Sequence, residues 1–89
     1  MSILEIVRAV RQRRQTLAPL VAEVEAGRLG RLVLYSAVPG VKAVVSRSLS
    51  AGMAVRLTRF EGEVPTGHVE YRSGEVEQVL RDLAGYAPS

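Results

Sequence analysis

Eleven arginines and the single Lys42 carry most of the chemical reach of this 89-residue chain, and four of the arginines fall in "RAVRQRRQ", residues 8–15. Guanidinium groups offer planar, bidentate donors suited to phosphate and carboxylate. Their chemistry is therefore anion recognition. The charges are unevenly spread. Residues 26–60 hold six cations and no acid, whereas residues 61–89 hold six acids against Arg72 and Arg81. A basic surface beside an acidic C-terminal element attracts either a phosphate backbone or the acidic end of a second copy.

The first possibility draws on Arg8 and Arg11 of the N-terminal segment, with Lys42, Arg47, Arg56 and Arg59 from the middle, as a nucleic-acid-binding surface. Arg56, Thr58 and Phe60 share one strand face, so an open face there would set a stacking ring among polar groups. The second is a homo-oligomeric structural or adaptor subunit. Its self-interface would use Val7, Val10, Arg13, Arg14, Leu17 and Val21, with Arg13 and Arg14 reaching acids such as Glu23, Glu25, Glu75 or Asp82 across it.

Enzymatic chemistry has little to work with. There is no cysteine, His68 is the sole histidine, and Ser46, Ser48 and Ser50 have no base at motif spacing. Glu61 and Glu63 flank a glycine in a turn, where carboxylates are ordinarily just solvated. No phosphate-binding loop and no dinucleotide fingerprint is present. A non-enzyme without cofactor, metal or small-molecule substrate is expected. No run approaches the ~18 apolar residues of a membrane span, and the opening "MSILEIVRAV" has the wrong charge order for a secretory signal. A cytoplasmic setting is expected.

The elements that must position these residues follow from periodicity. The length suits one domain. Ser2 with Glu5 fits a capping box. Ile3, Ile6, Val7 and Val10, then Leu17, Leu20, Val21 and Val24, repeat the i, i+3, i+4, i+7 spacing of one helix face. Arg13 and Arg14 fall inside that apolar arc. Pro19 predicts a kink or break near residues 14–18, with Thr16 as a second cap, and Gly27 predicts the helix end.

"RLVLYSA", Arg31 to Ala37, is apolar on both faces and reads as a covered strand. Residues 38–50 fit two readings. As a helix capped by Ser36, they gather Val38, Val41, Val44, Val45 and Leu49. As a hairpin, Pro39-Gly40 is the turn and Val41 to Arg47 the strand. The serines at 46, 48 and 50 spoil a clean alternation and favour the helix. Met53 to Phe60 alternates as a strand, and so does His68 to Arg72, with Val69 and Tyr71 inward. Ser73 is placed to cap a last helix bearing Val76, Val79, Leu80 and Leu83, in which Glu77 can pair with Arg81 and which Gly85 ends.

"SAGMAVRLTRFEG" with the following "PTG" resembles the stretch where the bacterial histone-like DNA-bending proteins pass from a helix into their β-arms. The likeness implies no membership: "RLVLYSA" has no counterpart there, and the acidic loop at residues 61–67 is too short for a DNA-embracing arm. The expectation is a single two-layer α+β domain, ordered α-β-α-β-β-α with a small mixed sheet. The alternative is an α-β-β-β-β-α meander.

Overall fold

Helix α1 runs unbroken from Ile3 to Glu25 with Pro19 inside it. The computed structural model describes residues 3–88, and of residues 4–10 and 13 the backbone alone. The expected break at Pro19 does not occur, and solvent supplies the reason. Gln15, whose carbonyl loses its partner, and Pro19 are both exposed, so water can take the freed carbonyl. Thr16 is not a cap. Its Oγ donates to the Gln12 carbonyl at 2.9 Å, the back-bond of a threonine within a helix. The helix closes as glycine chemistry predicts: Gly27 takes φ +80 and its N–H reaches the Val24 carbonyl at 3.1 Å.

The chain then forms β1 (Arg31–Ser36), β2 (Val41–Arg47), β3 (Val55–Glu61) and β4 (Val64–Tyr71), followed by α2 (Val76–Asp82) and the two-residue β5 (Tyr86–Ala87). The sheet order is β4-β3-β2-β1-β5. Every pairing is antiparallel, so the sheet is not mixed. The domain is a small α+β fold whose four-strand meander gains one C-terminal strand.

Residues 41–47 are strand and not helix, which corrects the favoured sequence reading. Ala43 and Val45 are fully buried while Lys42, Val44 and Ser46 alternate with them. The three serines mislead because only Ser46 belongs to the strand. Ser48 and Ser50 lie beyond it, and Ser36 does not cap a helix but accepts the Val38 N–H at 3.1 Å within the β1–β2 turn.

One parity of sheet residues builds the core. Leu32 and Leu34, Ala43 and Val45, Val55 and Leu57, and Tyr71 pack with Leu17, Val21 and Val24 of α1 and with Val79 and Leu83. Both helices thus cover the same face of the sheet. Helix α2 is held there by polar ties as well. The Tyr71 hydroxyl donates to Asp82 Oδ2 at 2.6 Å, and burial, with that carboxylate second, pushes its pKa well up and keeps it a donor. Arg14 pairs with Glu77, and Ser73 Oγ donates to Glu25. Those two contacts displace two expectations: Ser73 does not cap α2, whose N-cap is Glu75, and Glu77 pairs with α1 instead of Arg81.

Candidate nucleic-acid interface

With both helices on one side, the alternate residues of β1 to β4 form a face that no described element covers. The pairing registers set them in three cross-strand rows. The first is Arg31, Ser46, Arg56 and Glu70; the second is Val33, Val44, Thr58 and His68; the third is Tyr35, Lys42, Phe60 and Pro65. Adjacent strands stand ~4.8 Å apart and the rise is ~3.3 Å per residue. The aromatic rings therefore spring from backbone positions roughly 10 Å apart, and the arginine row lies about 13 Å along the strands from them.

The third row carries the stacking chemistry. Tyr35 is 48% exposed. Phe60 is half-buried, and Lys42 Nζ stands 5.5 Å from its ring centroid, a cation over an aromatic face. The β2–β3 register sets Phe60 opposite Lys42, and a bulge in β4 that skips Thr66 brings Pro65 opposite it on the other side.

The first row is a closed polar cluster. Arg56 Nε and Nη2 donate to Glu70 Oε1 at 3.0 and 2.6 Å, Ser50 Oγ donates to the same oxygen at 3.0 Å, and Ser48 Oγ donates to Oε2 at 3.0 Å. These donors, Arg56 foremost and then Ser50, hold the Glu70 carboxyl below its ordinary pKa. Arg56 is thus already neutralised, and the cluster anchors the residue 48–54 loop. Arg31, at the other end of this row, is exposed and has no ion-pair partner among the described residues.

A pH dependence follows. Because the folded pKa of Glu70 lies below the unfolded value of ~4.3, its contribution to stability is complete above that value and is lost as pH falls through the folded one. Glu70→Gln is expected to lower the melting temperature at pH 7 and to flatten its decline below about pH 4. Parallel melts of both proteins across that range check this. An unchanged acid slope would show that Glu70 has no part in it.

The sequence-derived site residues do not converge. Lys42 and Arg56 belong to the open face. Arg59 and Arg47 have the opposite parity and lie on the helix side: Arg59 Nη2 stands 3.6 Å from Glu61 Oε1, and the Arg47 guanidinium lies against Gly27, with Nη1 3.1 Å from where a β-carbon would sit. Arg11 is exposed on α1, away from the open face, and the side chain of Arg8 lies outside the described residues. Of the residues assigned to a self-interface, Leu17 (1% exposed) and Val21 (0%) are consumed by the chain's own core, which corrects that assignment. Arg14 pairs within its own chain. The side chains of Val7, Val10 and Arg13, and the capping box begun by Ser2, lie outside the described residues.

Tyr35 and Arg31 were not anticipated. The alternation Arg31, Val33, Tyr35 is visible in "RLVLYSA", yet the strand reads as covered on both faces when it is covered on one. His68 is an exposed residue opposite Thr58. Among the described residues no three His, Cys, Asp or Glu side chains gather as a metal site requires, and no helix is long and apolar enough to cross a membrane. Comparison with protein-family models, curated proteins and solved structures gives no match.

Proposed function

We propose that this chain is a non-enzymatic, cytoplasmic protein that binds single-stranded nucleic acid on the open face of its sheet. The observation that carries the reading is the row Tyr35, Lys42, Phe60, in register across β1, β2 and β3 on the face free of helices. Unpaired bases have faces to stack on aromatic rings, and a duplex hides them. A base stacking on Phe60 takes the place of the Lys42 ammonium, which then meets a phosphate. Arg31 offers a second phosphate contact further along, and the chain's charge of +3 has the sign required.

The test is fluorescence anisotropy of a labelled short single strand and of its duplex at ~50 and ~200 mM salt. The single strand is expected to bind at least about tenfold tighter than the duplex. With about two phosphates neutralised, its affinity is expected to fall roughly sevenfold across that salt range. Equal binding of the two, or none, overturns the reading. A second reading, the homo-oligomeric structural or adaptor subunit, is favoured by the exposed apolar side chains of Val38 (60%) and Val64 (62%). Absence of nucleic-acid binding together with a dimer in light scattering would support it.

A further inference from the structure

At the end of the open face, beyond the aromatic row, the β1–β2 and β3–β4 turns border an open hollow of about 370 Å³ whose lining includes Tyr35, Pro39, Gly40, Lys42, Gly62 and Glu63. That volume lies in the range of small-ligand sites, roughly 300–1,000 Å³. The hollow is braced: the Gly62 N–H donates to the Gly40 carbonyl at 2.7 Å and ties the two turns together. Its lining pairs a ring from the stacking row with one cation and one carboxylate.

The carboxylate is the unexpected part. An acid beside a phosphate-bearing strand is repelled unless the ligand brings donors to it. Glu61, the neighbouring acid, has Arg59 at 3.6 Å, whereas Glu63 has no ion-pair partner among the described residues. Guanine is the base whose Watson–Crick edge presents two adjacent donors, N1–H and the N2 amino group, with the O6 acceptor next to them. A carboxylate accepts from both donors at once, and an ammonium donates to O6. Cytosine and adenine offer a carboxylate one amino donor, and thymine and uracil one imino N–H.

Resting on the single-strand reading above, we infer that this hollow holds the base flanking the stacked row and selects guanine. Glu63 accepts from N1–H and the amino group, Lys42 gives O6 one of its three N–H donors while another meets the phosphate, and Tyr35, which stacks the neighbouring base, lines the hollow beside it.

The experiment compares wild type binding to a short oligothymidine, to the same strand with one central guanine, and to that strand with inosine in place of guanine, which lacks the amino group. A single guanine cannot assemble into a quadruplex. The expected order is guanine tightest, by roughly tenfold over oligothymidine, with inosine between. In Glu63→Gln the guanine-to-thymine ratio is expected to collapse towards one, because the amide presents one acceptor oxygen and one NH2 donor where guanine's two adjacent donors need an acceptor each. Melts of this variant at an exposed turn position establish that it is folded. If the guanine strand binds no tighter than oligothymidine, the hollow does not read guanine while the open-face reading stands. A preference that survives in Glu63→Gln removes it from this hollow. Failure to bind any strand overturns both readings.

Discussion

Leu34→Ala is expected to cost about 2–5 kcal/mol, a large part of the ~5–15 kcal/mol by which a domain of this kind is stable. Leu34 is 0% exposed on β1, opposite the small, equally buried Ala43. Alanine at position 34 would leave two small residues facing each other beneath α1, and a braced sheet cannot close the gap. The loss has a transfer part, from the removed carbon atoms, and a cavity part. At about 4–8 °C per kcal/mol for a chain of this size, the melting temperature is expected to fall by at least ~8 °C. Leu49→Ala is the matched control. Leu49 is 97% exposed, so its truncation is expected to cost less than ~0.5 kcal/mol. Urea or thermal melts of both variants decide the matter, and a Leu34→Ala protein melting within ~2 °C of wild type would mean that β1 does not face the core as described.

Removing the two rings of the open face is expected to give the largest functional effect. Each base stacked on an aromatic side chain contributes ~1–3 kcal/mol by alanine substitution, so Tyr35→Ala and Phe60→Ala should each weaken single-strand binding between about 5- and 150-fold. The rings stand two strands apart and engage different bases. Their losses should therefore add within ~0.5 kcal/mol in the double variant. Tyr35→Phe, which keeps the ring, should retain most of the affinity. Arg47→Ala and Arg59→Ala, on the helix side, should change it by less than about twofold if the open face alone is used. Anisotropy titrations at fixed salt read all six variants, the double one included, with melts to show that each is folded. A double variant that binds like wild type would remove the open face from consideration.

The contrast between Lys42 and Arg56 on one side and Arg47 and Arg59 on the other shows what could be read from sequence. Charge counting grouped all four, because a tally has no sense of direction. Parity separates them, but parity requires knowing that residues 41–47 are strand. That knowledge was blocked by Ser48 and Ser50, which extend the apparent pattern past the true end of β2 because their partner, Glu70, lies in β4. Helix α1, its end at Gly27, strand β3 and the His68–Tyr71 part of β4 were legible, since their apolar spacing is satisfied within short windows, whereas residues 64–67, whose Pro65 and Gly67 read as a loop, belong to β4 as well. Strand β5 was not: two residues, Tyr86 and Ala87, carry no periodicity and owe their conformation to the edge of β1. The open face was hidden for a related reason. Val33 and Val44 look like core residues, and only the placement of both helices on the opposite side shows that no described helix or strand is packed over them.

The strand order also divides the molecule by the way it assembles. Each pair among β1, β2, β3 and β4 is a sequence-adjacent hairpin, closed by a turn or short loop at little entropic cost. The remaining layer joins the two ends of the chain, as in the bond between Ser73 and Glu25, 48 positions apart, and the pairing of β5 with β1. Such contacts are expensive to close in the search for the native state, and of them the two-residue edge strand β5, which carries no fully buried side chain, is the first to open in local fluctuations. Tyr35, Lys42 and Phe60 all belong to the rapidly formed meander. A chain whose edge strand β5 has transiently lifted therefore still displays that row in register, and amide protection should grade from the hairpin centres outward to β5.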